Sequence, residues 1–375
     1  MIKILDSQDS RLGDVTTTAS RDRIPAWRHH AFRFARAATT PLLPEDYVDL
    51  FDPLRSRTHL RGRVVAVHAE TADAASVVIR PGRGWHGHRP GQYIRVGVDI
   101  DGVRMWRAYS ITSGPRADGC ISITVKAITG GAVSTHLVQT LRPGQVLQME
   151  QAGGEFVLPH GLPGRVLLLT GGSGITPVMG ILRHAVRDLD DVVLLHSAPR
   201  PEDVIFANEL HDLAADGHLR LLERHTDTDG MLNPAELDAL VPDWRDRETF
   251  ACGPAGMLEA LEEHWQQAGL DHRLHTERFR PTLVEPGEGG TVHFTGLDRD
   301  IDCDGARPIL DIAEDEGVLM PSGCRMGICY GCVLPLREGA VRDLRTGEIT
   351  TASPGDGVLV QTCISSAAGR CDIDL

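Results

Sequence analysis

The chain is organised around the stretch PSGCRMGICYGC, which occupies residues 321–332. Its three cysteines follow a C-x4-C-x2-C spacing, and a fourth cysteine comes later, in the motif QTC. Four thiolates with this spacing can close around a two-iron, two-sulfide cluster. Zinc or disulfides are the alternative, but zinc sites usually contain two C-x2-C pairs, and this stretch contains one. The predicted cluster ligands are Cys324, Cys329, Cys332 and Cys363.

Length, composition and charge limit the function classes. A chain of 375 residues can form two or three domains. It contains no apolar run of about 18 residues and no signal-like N-terminus, and its other cysteines are scattered, which fits a reducing cytoplasm. The net charge of -14 argues against nucleic-acid binding. Residues 286–375 hold 15 acidic and 7 basic side chains, so we expect this segment to be steered toward a basic surface of a partner.

The segment from Leu60 to Leu158 has a hydrophobic period of two, with Gly and Pro turns between short runs. This pattern predicts an antiparallel β-barrel. Alternation places Arg107 and Tyr109 on one face of a strand. A guanidinium can hold a diphosphate, and a phenol ring can stack on a flat heterocycle. Further along, Gly131 precedes a helical stretch and exposes N–H groups that suit phosphate.

The pattern changes near residue 161 to a continuous apolar run, as in a buried parallel strand. The turn GGSGITP, residues 171–177, leads from that strand into a helical stretch and suits a pyrophosphate. The next strand ends at Ser197 and Arg200, where folds of this kind meet the adenosine ribose. A hydroxyl with an arginine there favours NADPH over NADH. The stretch TFACGP, residues 249–254, reads as a further strand that ends in a turn.

Together these motifs resemble a ferredoxin–NADP reductase followed by a plant-type ferredoxin. The resemblance covers residues 58–375 and implies a multi-domain fold. Its parts are an antiparallel β-barrel flavin domain, an α/β parallel-sheet nucleotide domain and an α+β, β-grasp-like ferredoxin domain. The predicted boundaries are an N-terminal extension at 1–57, the flavin barrel at 58–160, the nucleotide domain at 161–280, a linker at 281–290 and the ferredoxin domain at 291–375.

The resemblance also implies cofactors and site residues. FAD is expected rather than FMN, together with a [2Fe-2S] cluster and NADPH, with NADH as the alternative. Arg107 and Ser134 would contact the flavin phosphate, and Phe279 would shield the flavin face. The predicted catalytic residues are Tyr109, which would stack on the isoalloxazine, Ser110, near its N5, and Cys252, at the hydride-transfer site. Further predicted cofactor-binding residues are Lys126, Gly131, Val133, Gly171, Gly172, Gly174, Thr176, Ser197, Arg200, Gly253 and Pro254.

The implied activity is that of an NAD(P)H:acceptor oxidoreductase that passes electrons from NADPH through FAD and the cluster. The extension and residues 79–85 resemble electron-transfer partners of acyl-CoA desaturases, so a membrane-bound acyl-CoA desaturase is the predicted acceptor. Residues 26–38, basic and aromatic, either pack on the next domain or contact a membrane surface peripherally. The alternatives are a reductase for a ring-hydroxylating oxygenase or cytochrome P450, and a non-enzymatic redox sensor.

Overall fold

The computed structural model describes residues 52–55, 59–100, 102–279, 285–327 and 330–375. They belong to one compact unit that begins at Asp52. The stretch 26–38, residues 281–284 of the predicted linker and Cys329 lie outside the described residues. Within the described ranges, no helix is long and apolar enough to cross a membrane.

The first sheet is a six-stranded antiparallel barrel. Its strands are β1 (Arg61–Ala69), β2 (Ala74–Pro81), β3 (Tyr93–Ile100), β4 (Val103–Ser110), β5 (Ile121–Lys126) and β6 (Val146–Met149). They pair in the order β4-β3-β6-β1-β2-β5, and a bridge between Ile111 and Ile123 brings the end of β4 beside β5. Alternate residues such as Val77 and Ile79 face a buried core, as the period of two predicted.

The second sheet is parallel. It contains β7 (Arg165–Gly171), β8 (Asp191–Ala198), β9 (Arg220–His225), β10 (Glu248–Cys252) and β11 (Leu274–Glu277), in the order β11-β10-β7-β8-β9. Leu168 packs in one core cluster and Leu167 in another. Strand β7 is therefore buried on both faces, which explains its unbroken apolar sequence.

The third sheet is mixed. Its strands are β12 (Gly290–Phe294), β13 (Arg299–Cys303), β14 (Val333–Asp343), β15 (Ile349–Ala352), β16 (Val358–Gln361) and β17 (Ser365–Ile373). Strand β12 runs parallel to β17, and the other pairs are antiparallel. The three sheets confirm the predicted fold class.

Helices connect and cover these sheets. They are α1 (Ala132–Thr135), α2 (Ile175–Ala185), α3 (Ala207–Ala215), α4 (Thr226–Asp229), α5 (Leu237–Leu240), α6 (Ala255–Gln267) and α7 (Ile309–Asp315). Helix α2 abuts the barrel, because a Cβ added at Gly180 would lie 2.4 Å from the Ile111 carbonyl oxygen. Glycine at this position therefore lets the nucleotide sheet approach the end of β4 closely.

Candidate functional site

Strand β4 carries the residues predicted to bind flavin. Arg107 pairs with Val96 and Tyr109 with Ile94, so both side chains lie on one face, as alternation predicted. The Arg107 guanidinium donates to the Trp106 carbonyl oxygen (2.8 Å). Burial, followed by the nearby Arg325, lowers its pKa. Burial also raises the pKa of Tyr109, so the phenol stays neutral. A buried guanidinium beside a neutral aromatic ring suits a diphosphate joined to a flat heterocycle.

Ser110 is the last residue of β4 and gives the clearest indication that a ligand binds here. Its side chain is buried, and its Oγ has no hydrogen-bond partner among the described residues. Buried hydroxyls are nearly always paired, so an orphan calls for an explanation such as a ligand. Beside Arg107 and Tyr109, this unpaired hydroxyl fits a flavin ring edge with polar atoms.

The loop before α1 is held by its own contacts. The Ile128 N–H donates to the Ser134 Oγ (3.2 Å), which donates to the Gly131 carbonyl oxygen (3.1 Å). The Val133 side chain lies in the barrel core, so only its backbone is available to a cofactor. Lys126 forms an ion pair with Asp73 (3.3 Å). Helix α1 has four residues, so backbone N–H groups rather than a helix dipole would meet a phosphate here.

The glycine-rich turn after β7 packs against the Cys252-Gly253-Pro254 turn. A Cβ added at Gly174 would lie 2.0 Å from the Cys252 carbonyl oxygen, and one at Gly171 would lie 2.8 Å from Pro254. Gly172 has a φ of +53°, which favours glycine. Thr176 Oγ1 donates to the Ser173 carbonyl oxygen (2.9 Å). Two sequence motifs separated by about eighty residues therefore form one surface at the carboxyl edge of the sheet, where nucleotides bind in such folds.

A buried acid at this edge was missed by sequence reasoning. Glu277, at the end of β11, pairs in register with Cys252. Burial raises the pKa of Glu277 to about 8, and its Oε2 has no partner within the described residues. Burial and the neighbouring Glu277 also raise the pKa of the Cys252 thiol. Both groups are therefore protonated near neutral pH. The sequence carried no clear signal for this role, because the strand Leu274–Glu277 is half-buried and mostly polar.

The ribose end of the nucleotide site differs from the sequence prediction in one respect. Ser197 is buried, and its Oγ has no hydrogen-bond partner within the described part of the chain. Arg200 is exposed and engaged by Asp203 (3.0 Å) and Glu202 (3.1 Å), so a phosphate would have to displace carboxylates. On the adjacent strand His225 pairs with Ala198, and its buried Nδ1 lacks a partner among the described residues. His225 is thus a second missed candidate.

The barrel and nucleotide edges face one another. Burial lowers the pKa of His196, on β8, to about 4, and the charges of His225 and Lys126 add to this effect. His196 Nδ1 lies 2.8 Å from the Thr170 hydroxyl, which makes a structural role the simplest account of this histidine. Phe279, the predicted shield, follows β11 and is partly exposed.

Three of the four predicted cluster cysteines are described, and all three are buried. The Met326 N–H donates to Cys324 Sγ (3.3 Å). The Thr362 N–H donates to the Cys332 carbonyl oxygen (3.2 Å), which ties the Cys363 segment to the loop. The hydrogen bond between the two thiols lowers the pKa of Cys332 and raises the pKa of Cys363. These two sulfurs are therefore neighbours.

The C-x4-C-x2-C spacing favours a two-iron cluster over a single metal ion, and Cys329, one of the four predicted ligands, lies outside the described residues. Among the described side chains, no three His, Cys, Asp or Glu groups converge on a point that could hold a metal. A mononuclear zinc site would need four ligands around one ion, whereas a [2Fe-2S] cluster shares four thiolates between two irons. Gly327 has a φ of +73°, and Arg325 and Tyr330 also adopt left-handed backbone, which curls the loop.

The cluster loop lies beside the flavin strand. Arg325 Nη1 donates to Asp311 Oδ1 (2.5 Å), and the guanidinium also pairs with Glu314. All three groups act electrostatically on Arg107. Met105 of β4 and residues 317–320 line a small shared cavity of about 130 Å³. The two predicted redox centres therefore face each other within one chain.

Comparison with known proteins agrees with this arrangement. Residues 65–158 match the oxidoreductase FAD-binding domain family, 168–263 the oxidoreductase NAD-binding domain family, and 292–367 the 2Fe-2S iron-sulfur cluster binding domain family. A Mycobacterium tuberculosis protein described as an NADPH oxidoreductase is 47% identical over 369 residues, covering 96% of this chain and 95% of that protein.

Two further similarities extend the comparison. The glycine betaine monooxygenase reductase subunit of Pseudomonas aeruginosa is 31% identical over 307 residues, covering 73% of this chain and 84% of that protein. The structure of phthalate dioxygenase reductase superposes with a TM-score of 0.59 at 20% identity, covering 84% of this chain and 98% of that one. The latter shows a shared fold. With its FAD, NAD(P)H and [2Fe-2S] domains in one chain, the protein belongs to the family of NAD(P)H oxidoreductases that combine a flavin with an iron–sulfur cluster.

Proposed function

We propose that this protein is the reductase component of an oxygenase system, and that it takes electrons from NADPH and delivers them singly to an oxygenase. The contact between the cluster loop and the flavin strand carries the proposal. Arg325, Asp311 and Glu314 lie within electrostatic range of Arg107, so a single chain brings a two-electron and a one-electron centre together. The FAD, when bound, supplies the exchange between hydride and single-electron chemistry.

The chain's own residues have separate tasks in this proposal. Arg107 holds the flavin diphosphate, Tyr109 fixes the ring plane, and Ser110 donates to the ring edge. The turn at residues 171–174 receives the nicotinamide cofactor's pyrophosphate. Cys252 and Glu277 are uncharged near neutral pH and exclude water from the nicotinamide side. The four predicted cysteines hold the cluster.

The predicted module boundaries belong to the same proposal. The flavin barrel at 58–160, the nucleotide domain at 161–280 and the ferredoxin domain at 291–375 would each hold one redox cofactor. Each of the three matched family ranges lies within one of these modules. The segment 281–290 joins the last two modules.

The oxygenase class is favoured by relatives whose names specify that role. The Pseudomonas aeruginosa relative is a monooxygenase reductase subunit. A membrane acyl-CoA desaturase is the second candidate acceptor. Its support is the resemblance of the extension and of residues 79–85 to electron-transfer partners of acyl-CoA desaturases. The match to the Mycobacterium tuberculosis NADPH oxidoreductase spans 96% of this chain, and the description of that protein names no acceptor.

Reconstitution tests the proposal. The full-length protein, loaded with FAD and cluster, is mixed with NADPH and either a purified oxygenase component or desaturase-containing membranes. Product formation that depends on this protein with the oxygenase supports the main proposal. Acyl-chain desaturation alone transfers the assignment to the second candidate. Steady NADPH oxidation that reaches neither acceptor nor cytochrome c contradicts both.

A further inference from the structure

One carboxylate ties the last strand of the nucleotide sheet to helix α6. Glu262 Oε1 accepts a hydrogen bond from the Thr276 hydroxyl (3.0 Å), and Glu262 Oε2 accepts one from Arg278 Nη2 (2.6 Å). The two donors stand immediately before and after Glu277 in the chain. We call this arrangement of Glu262, Thr276 and Arg278 the carboxylate clamp. It fastens both flanks of the buried acid to a single side chain of the helix.

The carboxylate clamp and the buried acid lie on opposite faces of β11. Thr276 reaches α6, and Leu274, two residues earlier, packs with Leu261 of that helix in one core cluster. Glu277 pairs in register with Cys252, which belongs to the other core cluster of this sheet. Successive side chains of a strand point to opposite faces. A contact on the α6 face can therefore set the position of Glu277 without touching the hydride-transfer site.

Strand β11 needs such an anchor because it is short and lies at the edge of its sheet. It has four residues, and among the described strands it pairs with β10 alone. Its last pair in register joins Glu277 to Cys252, and strand ends of this kind open locally at a small cost in free energy. Helix α6 is a firm support, because its residues Leu258, Leu261 and Trp265 are fully buried. The carboxylate clamp therefore holds the end of β11 against an element that is itself fixed by the core.

Helix α6 also carries the other half of the hydride-transfer site. It begins at Ala255, directly after the Cys252-Gly253-Pro254 turn that packs against Gly174. Glu262 follows about two turns later on the same helix. One helix thus connects the turn on the nicotinamide side to the carboxylate that holds β11. The position of Glu277 relative to Cys252 is then fixed twice, by strand pairing and by the carboxylate clamp.

We propose that Glu262 is a positioning residue for hydride transfer. By holding Thr276 and Arg278, it keeps Glu277 beside Cys252, and these two side chains exclude water from the nicotinamide side. This inference rests on the placement of the nicotinamide at Cys252 in the proposed function. Glu262 acts through the end of β11, so its loss should change the rate of hydride transfer rather than the binding of either cofactor.

Rapid mixing with NADPH under anaerobic conditions tests the inference in the protein loaded with FAD and cluster. Glu262→Ala removes both hydrogen bonds and should slow flavin bleaching by about 10- to 10²-fold, because a misplacement of about 1 Å can cost 10²-fold even when the substitution is far from the chemistry. The rate at saturating NADPH should fall, while the NADPH concentration that gives half of this rate should stay nearly unchanged. FAD content and cluster absorption should match those of the parent protein.

Glu259→Ala is the matched control. Glu259 lies one turn earlier on the same helix and has the same charge, but its Oε1 is 3.9 Å from Arg278 Nη1, which is too long for a hydrogen bond. Its bleaching rate should match that of the parent protein. Glu262→Gln keeps one carbonyl oxygen as an acceptor and should recover part of the rate that Glu262→Ala loses. Equal slowing in Glu259→Ala would assign the effect to the charge of helix α6 and would overturn the inference.

A double-mutant cycle separates positioning from a general loosening of the domain. Thr276→Val removes one of the two donors with little change of shape, and its slowing should vanish when Glu262→Ala is already present, since the carboxylate is then gone. Hydrogen exchange followed by mass spectrometry should be faster in Glu262→Ala at residues 274–277 and unchanged in the central strands β7 and β8. Additive slowing, or exchange that rises equally in all these strands, contradicts a positioning role.

Cys252→Ala separates this inference from the proposed function. If Cys252→Ala slows bleaching and Glu262→Ala does not, the nicotinamide is placed correctly and Glu262 has no positioning role. If Cys252→Ala leaves bleaching unchanged, the placement of the nicotinamide is wrong and the inference fails with it. Slowing in both variants, with a Glu259→Ala protein that behaves like the parent, supports the inference.

Discussion

The proposed cluster site and the proposed hydride-transfer site draw their residues from the chain in different ways. Three predicted cluster ligands come from a single loop, and the fourth is tied to that loop by Thr362. The hydride-transfer site draws on β4 of one sheet and on three separate segments of another, ending at Cys252, Gly174 and Glu277. The comparison shows that a metal-cluster site can take most of its ligands from one short segment of sequence. A site that must bind both a flavin and a nicotinamide cofactor needs residues from two different sheets.

The largest effect is expected from breaking the local site. Cys332→Ser should abolish the [2Fe-2S] absorption and cytochrome c reduction, because a two-iron cluster needs all four thiolates. FAD should stay bound, and ferricyanide reduction by NADPH should persist. Cys371→Ser, in the same domain core and equally buried, is the matched control and should keep the cluster. Loss of FAD along with the cluster in Cys332→Ser would contradict the independence of the two sites.

The buried acid of the hydride-transfer site should make stability depend on pH. Burial raises the folded-state pKa of Glu277 to about 8 from 4.5, so its contribution to stability is complete below about pH 4.5 and is lost as the pH rises toward 8. Glu277→Gln should remove this dependence and raise stability at pH 8 by a few kcal/mol, at about 1.4 kcal/mol per pKa unit. Denaturant unfolding of both proteins across this range measures it. Parallel profiles would show that the carboxyl is ionised in the folded protein.

Substitutions at the ribose end of the nucleotide site test whether His225 or Arg200 recognises the 2′-phosphate. His225→Ala should raise KM for NADPH by about tenfold or more and leave NADH nearly unchanged, since hydrogen bonds to charged groups contribute about 1.5–3 kcal/mol. Arg200→Ala should have a smaller effect, because its guanidinium already pairs with Asp203 and Glu202. A larger effect of Arg200→Ala would restore the sequence-based assignment. Equal effects on both cofactors would remove both residues from 2′-phosphate recognition.

The smallest effect concerns the flavin strand. Ser110→Ala should slow flavin reduction by NADPH about tenfold, the value of one hydrogen bond of about 1.4 kcal/mol. Stopped-flow bleaching under anaerobic conditions measures it. Ser113→Ala is the control, because that hydroxyl already accepts from the Ser122 N–H (3.0 Å). Equal slowing in the control would mean that general loosening of the barrel is responsible.

Several elements could be predicted because their signals are local. Alternation predicted the strands that became β1, β2, β3 and β5, and an unbroken apolar run predicted β7. Strand β6 has only four residues and follows a Pro-Gly turn. It was missed because four residues show too few apolar–polar alternations to identify a strand. Its pairing with β1 and β3 depends on residues distant in sequence.

The sequence by itself determined the three-module order, the candidate cluster cysteines and the alternation that puts Arg107 and Tyr109 on one face, because spacing and period follow from chain geometry. Only the tertiary structure decided the ionisation state of Glu277, the engagement of Arg200 by carboxylates and the lack of a partner for the Ser110 hydroxyl among the described residues. These properties depend on which groups surround a side chain. Burial and pairing in turn are set by contacts between segments far apart in sequence, and no local pattern records them.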